Sequence, residues 1–126
     1  MGTWIAIAVG GAIGSIARHG LNHLVHAHWL TTRFPVGTVA VNVTGCLIIG
    51  LLAGLLAAER MTLPFYWREF VFVGLLGGFT TFSTFGLDTF VLARTQSLAA
   101  ALGNVAIQML GGLMAVWIGY EVGMRR

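Results

Sequence analysis

Lysine is absent from the sequence, and charge of either sign is scarce: charged residues make up 9% of the chain. A soluble domain carries about 25%. With 57% hydrophobic residues in a chain of 126 and a mean hydropathy of +0.87, there is more apolar surface than a core this small can hide from water. Lipid is the solvent that this composition fits. The seven basic residues are all arginine and lie scattered at Arg18, Arg33, Arg60, Arg68, Arg94, Arg125 and Arg126. No basic cluster is available to nucleic acid, and the high pI reflects few carboxylates instead of a polyanion-binding face. Cysteine is nearly missing too. Cys46 alone excludes an intrachain disulfide and leaves the redox compartment unread. The start, Met1-Gly-Thr-Trp-Ile-Ala-Ile-Ala-Val, lacks a basic n-region, so we expect a retained helix and not a cleaved signal peptide. Gly2 opens a myristoylation pattern, but Ala6 stands where that pattern needs Ser or Thr.

What is there is apolar and long. Four stretches run from about Thr3 to His26, Val36 to Ala58, Trp67 to Ala93 and Leu98 to Val122. Each reaches the roughly 20 residues a helix needs to cross a hydrocarbon layer about 30 Å thick. The expectation is an all-α membrane protein, one transmembrane domain over residues 1–126 with four crossings. Pro35 sits where a first helical turn tolerates proline. Glu59-Arg60-Met-Thr-Leu-Pro64 ends the second stretch, and Arg94-Thr-Gln-Ser97 separates the third from the fourth. Trp4, Trp29, Tyr66 and Trp67 lie near segment ends, where interfacial aromatics gather. Four crossings put both termini on one side, with Arg60, Arg68, Arg125 and Arg126; Arg33 and Arg94 fall on the other. This is a weak bias by the positive-inside rule. It leaves two topologies open: a single orientation with the termini inside, or both orientations and hence an antiparallel homodimer.

Glycine is abundant and regularly spaced. Gly10 and Gly14, Gly50 and Gly54, Gly74 and Gly78, and Gly119 and Gly123 each put two glycines on one helix face. Such faces let backbones approach closely in lipid. Four helices are few to enclose an aqueous pore, so oligomerisation is the simplest route to one.

The third stretch carries Gly77-Gly78-Phe79-Thr80-Thr81-Phe82-Ser83-Thr84-Phe85 near its middle. Two glycines and four hydroxyl residues weaken helix propensity there, so a break near 77–81 is expected. Inside a membrane a break survives only where protein or a polar cavity satisfies the freed backbone groups, and broken helices often mark ion sites. Phe82 and Phe85 share a helical face and have positive ring edges; Ser83 and Thr84 can donate hydroxyl protons. The plainer alternative is a flexible packing stretch with hydroxyls bonded back to the helix.

This segment resembles the signature of the Fluc (CrcB-type) fluoride channels. The similarity extends to Gly-Gly-Ala-Ile-Gly-Ser-Ile-Ala-Arg18 in the first stretch and to Gly37-Thr38-Val-Ala-Val-Asn42-Val-Thr-Gly45 in the second. The resemblance implies a dual-topology, antiparallel homodimer that conducts fluoride passively out of the cytoplasm of a bacterium, across its inner membrane. By the same resemblance, the backbone carbonyls of Gly77 and Thr80 hold a structural Na⁺ at the dimer interface. Phe82 and Phe85 make ring-edge fluoride contacts, Asn42 is the pore-lining amide, and Thr38, Ser83 and Thr84 lie along the pathway. Arg18 matches a basic residue near the pore entrance. Membrane lipid and fluoride are the other implied partners, with no nucleic acid and no enzymatic reaction.

The residues themselves leave alternatives. Asn42 either offers its amide to an anion or makes an interhelical hydrogen bond, since a polar group at that depth is costly without a partner. Arg18 follows some fifteen apolar residues, roughly 22 Å of helix, and either snorkels to an interface or draws anions into a vestibule. Gly86 and Gly112 stand where relatives often carry a hydroxyl, which puts the outer polar track in doubt. Asn104 and Gln108 are polar substitutes nearby, and Asp88 is an acid whose role is open, pairing with an arginine being one option. His19, His23 and His26 share one helix face, read as a helix end at the interface before a metal site; His28 adds little. A proton-coupled exporter needs a membrane-buried carboxylate, and only Asp88 is a candidate. A membrane enzyme lacks its constellation of acid, base and nucleophile. A purely structural subunit is the remaining rival.

Overall fold

A backbone inside hydrocarbon has no water to bond, so each apolar stretch must satisfy its own amides and carbonyls as helix. A computed structural model describes residues 1–28 and 33–125; Trp29, Arg126 and the His28 side chain, all weighed above, lie outside what it describes. Helix α1 spans Gly2–His28 and α2 spans Val36–Ala57. The third crossing is composite: α3 (Phe65–Arg68), a π-helical stretch (Glu69–Leu76), α4 (Gly77–Phe79) and α5 (Phe82–Thr95). Helix α6 spans Leu98–Met124. By length and composition, four spans among the described residues are apolar enough to cross a membrane, the third being Phe65–Thr95.

The helix ends follow their residues. Pro35 caps α2, and its carbonyl accepts from the Val39 amide at 3.1 Å. The chain leaves α2 through Glu59, whose φ of 55° is a left-handed turn. Ser97 caps α6 by accepting the Ala100 amide at 3.1 Å. At one end of the bundle Gln96 donates to the Arg33 carbonyl at 3.0 Å. At the other, Arg60 donates to the carbonyls of Gly123 and Arg125. Arg33 thus lies at one end of the bundle, and Arg60 and Arg125 at the other.

The glycine pairs set the packing. Helix α2 lies along α6, and α1 lies along the π-helical stretch and α4. A methyl group at Gly123 would stand 2.5 Å from the Leu51 carbonyl oxygen, and one at Gly74 2.8 Å from that of Ile7. Gly50 and Gly54 meet the α6 backbone at Val116 and Tyr120, while Gly10 and Gly14 meet the third crossing at Phe70 and Leu75. In each case backbone faces backbone, where no side chain can yield. Val41, Leu76, Leu92, Ala101 and Ala115 fill the buried space between helices. The outer face of α6 exposes Leu102, Leu110, Leu113 and Trp117, an apolar surface suited to lipid.

This packing makes a prediction. Gly123→Val overpacks the α2–α6 contact and lowers the unfolding free energy by about 1–3 kcal/mol or more. Gly103→Ala, where an added methyl meets nothing within 4 Å, leaves stability unchanged or slightly raised. Denaturation by SDS in mixed micelles measures both, and equal stability of the two variants contradicts the packing described.

Candidate functional site

The third crossing opens at two residues. Thr80 has φ −83° and ψ 161°, and Thr81 has φ −153° and ψ 114°, so both are extended. Gly77 and Gly78 remain helical; the opening comes just after them. Thr80 closes the incoming helix with both its amide and its hydroxyl, each donating to the Leu76 carbonyl at 3.0 Å. Thr81 starts the outgoing one. Its hydroxyl oxygen accepts the Thr84 amide at 3.2 Å and its proton goes to the Thr84 hydroxyl at 3.0 Å, with the Ser83 hydroxyl 3.3 Å away. A threonine at the N-cap is suited to this role.

The amide and carbonyl of Thr81 are satisfied from another helix. Its N–H donates to Asn42 Oδ1 at 2.9 Å, and Asn42 Nδ2 donates back to the Thr81 carbonyl at 3.2 Å. One carboxamide on α2 thus pairs with the opened backbone much as a neighbouring strand would. In a continuous helix the Thr81 amide would bond the Gly77 carbonyl and the Thr84 amide the Thr80 carbonyl. Both donors are diverted, the first to Asn42 and the second to the Thr81 hydroxyl.

A chain of side chains extends from this pair. Asn42 Nδ2 also donates to Gln108 Oε1 at 2.7 Å, Gln108 Nε2 to Asn104 Oδ1 at 2.9 Å, Asn104 Nδ2 to Thr89 Oγ1 at 2.8 Å, and the Thr89 hydroxyl to the Phe85 carbonyl at 2.7 Å. Its direction is fixed at both ends, since the Thr81 amide can only donate and the Phe85 carbonyl only accept. Asn104 is wholly buried and Gln108 nearly so; without the chain, each would leave unpaired polar groups in an apolar interior.

Beside the break lies a cavity of about 350 Å³, lined by Asn42, Gly77, Thr80, Phe82, Phe85 and Gln108 among others. The Phe82 and Phe85 rings stand 5.4 Å apart, tilted by 51°. Phe85 is buried, whereas Phe82 is 79% exposed. A second cavity of about 420 Å³, lined by Arg33, Asp88 and Gln96, sits toward the end of α5. There Asp88 accepts the Thr38 hydroxyl at 2.7 Å, with Arg33 lining the same cavity. Thr38 is itself buried.

The residues singled out in the sequence therefore fall into groups. Asn42, Phe82, Phe85, Gly77 and Thr80 meet at one cavity. Ser83 and Thr84 form the capping turn of α5 beside it. Thr38 lies one turn away from Asn42 on α2, tied to Asp88. Arg18 is half-buried on α1 and lines neither cavity. Gly86 faces open space, while a methyl at Gly112 would stand 3.3 Å from Cys46 Sγ. His26 bonds its own helix at Asn22, and among the described residues no group of three or more His, Cys, Asp or Glu is placed to hold a metal ion. The sequence reading passed over Thr81 and Thr89. Its usable signals were the Thr81-x-x-Thr84 capping spacing and the i, i+4 pair Asn104 and Gln108.

Removing the capping oxygen tests the site. Thr81→Val costs about 1 kcal/mol of stability, the usual loss for an N-cap, and Thr81→Ser retains most of it. Matching losses in the two variants, measured by denaturation in SDS, contradict the cap.

Residues 5–120 match the family model described as CrcB-like protein, Camphor Resistance (CrcB). A protein of Methylobacillus flagellatus named fluoride-specific ion channel FluC is 47% identical over 92% of this chain and 90% of its own length. One of the same name from Paracoccus denitrificans is 47% identical over 96% of this chain and 94% of its own. Another from Pseudomonas putida is 44% identical over 93% of each.

Proposed function

The chain belongs to the CrcB family, and from that membership and the cavity at the break we propose that it is a fluoride-selective channel. Fluoride moves through it passively, out of the cytoplasm and across the bacterial inner membrane. The observation that carries this reading is the joint lining of one cavity by Asn42 and the Phe82 and Phe85 rings at the opened backbone. Fluoride is small and strongly hydrated, so a pore must replace its water with donors. Ring edges carry partial positive charge, and the carboxamide supplies N–H groups. Both Asn42 N–H groups have protein acceptors; the longer bond, 3.2 Å to the Thr81 carbonyl, is the one an anion displaces. Ser83 and Thr84 add hydroxyl donors beside the rings. Thr38 lines the approach with Asp88, and Arg18 raises the local anion concentration at the entrance.

The working unit is an antiparallel homodimer. Phe82 is 79% exposed, an aromatic ring at the rim of a largely apolar cavity, and a second copy would cover it. The weak arginine bias permits insertion in both orientations.

The Gly77 and Thr80 carbonyls fit a structural Na⁺ at this interface. They are among the carbonyls that lose their helical donors at the break, the Thr81 and Thr84 amides having gone elsewhere, both residues line the same cavity, and unwound carbonyls of this kind suit Na⁺. When bound, the ion would neutralise these carbonyl dipoles and join the two copies.

The deciding measurement is ion efflux from liposomes that hold only this protein. Fluoride leaves rapidly and chloride does not; equal rates for the two defeat the selectivity. Phe82→Ile suppresses flux, and Asn42→Asp lowers it about 10- to 100-fold, the scale of one lost hydrogen bond to a charged group at about 1.5–3 kcal/mol. Both variants remain dimeric by cross-linking, and normal flux in both rejects this pore lining. Replacing Na⁺ with a large organic cation weakens the dimer, and unchanged association in its absence removes the ion from the account.

A further inference from the structure

Asn42 is engaged in a second way, independent of any anion. Its Oδ1 accepts the Thr81 amide at 2.9 Å, the amide that a continuous helix would direct onto the Gly77 carbonyl. Left unpaired, that N–H would carry the full penalty of a buried donor. The cheapest remedy is to rotate Thr80 and Thr81 back to helical angles and bond Gly77 again. Nothing intrinsic to these residues forbids this, for threonine adopts either conformation and Gly77 and Gly78 are already helical.

We infer that Asn42 is the latch that holds the third transmembrane helix open, a positioning residue acting on the backbone of Thr80 and Thr81. Gln108 sets the latch. By accepting from Asn42 Nδ2 at 2.7 Å, it turns the carboxamide so that the oxygen faces the Thr81 amide. The relay through Asn104 and Thr89 to the Phe85 carbonyl fixes Gln108 in turn. The same side chain thus opens the Gly77 carbonyl and lines the cavity. Its consequence for a cation rests on the function proposed above: without the latch, the Gly77 carbonyl returns to its helix and is lost as a cation ligand. Gly45 leaves room for the arrangement, since a methyl there would collide with the Thr80 side chain.

The test compares Asn42→Leu, which keeps the branching at Cγ without an acceptor, with Asn42→Asp, which keeps one. In protein reconstituted in lipid, carbon-13 chemical shifts report the backbone conformation at Thr80 and Thr81 whether or not Na⁺ binds. The wild type and Asn42→Asp give extended shifts, and Asn42→Leu moves both residues to helical shifts. Extended shifts retained in Asn42→Leu overturn the latch. Should the leucine variant fail to fold, Asn42→Asp decides, and helical shifts there also overturn it. The Na⁺ concentration for half-maximal thermal stabilisation is the second readout. It rises about tenfold in Asn42→Leu, the scale of one hydrogen bond, while Asn42→Asp retains the wild-type response. A wild type indifferent to Na⁺ removes the cation from the proposed function and leaves the latch to be judged by the chemical shifts.

Discussion

The hydrogen-bond pair between the Asn42 carboxamide and the Thr81 backbone is the interaction on which the rest of the structure depends. A membrane-spanning helix cannot open without exposing an amide and a carbonyl to hydrocarbon, at a cost of several kcal/mol per group. Here a single side chain from a neighbouring helix answers both groups, at 2.9 and 3.2 Å. The Thr81 hydroxyl then caps the outgoing helix, so that it needs no residues beyond the opening to begin. The break is thus cheap enough to persist, and it leaves carbonyls from Gly77 to Thr80 without their helical donors. Two sets of groups with opposite preference for charge result from one event, oxygens on one hand and an amide with aromatic edges on the other.

Such a pair is only as good as the position of α2 relative to the third crossing. Small residues seat α2 on α6 and α1 on the third crossing, and Gly45 lets α2 come against Thr80. Gly50 and Gly54 interlock with Gly119 and Gly123, Gly10 faces Gly74, Gly14 meets Leu75 and Phe79, and Gly78 meets Gly11. In lipid, where burial of apolar surface adds no drive between helices, close backbone contact is a main source of cohesion. Helix α6 contributes a second constraint through Gln108 and Asn104, which tie α2 to α5 by way of Thr89. These buried amides are costly singly and stabilising as a completed chain.

Much of this was legible in the sequence. The four apolar stretches and their breakers gave the crossings, because length and composition decide membrane spans. The glycine pairs pointed to close contacts, since spacing of four places both on one face. The Gly/Thr/Ser/Phe run indicated a break, and the resemblance named Asn42, Phe82 and Phe85, which do line one cavity. Other features were hidden for physical reasons. Glycines were the obvious weak points, yet Gly77 and Gly78 stay helical, and Gly78 serves contact with α1; the opening is set by the reach of Asn42, a tertiary property. The amide relay joins residues far apart in sequence, so no local pattern reveals it. The role of Asp88 was open, and nothing local shows that α2 presents Thr38 to it. The π-helical start of the third crossing has no signature in propensity.

The most direct test of the central claim is to observe the hydrogen bond itself. Solid-state NMR of the isotope-labelled protein in lipid bilayers can correlate an amide with the carbonyl carbon that accepts its proton. The account predicts that the Thr81 amide correlates with the Asn42 side-chain carbonyl carbon and not with that of Gly77. A correlation between Thr81 and Gly77 would mean that the helix runs unbroken through the middle of the membrane, and would contradict it.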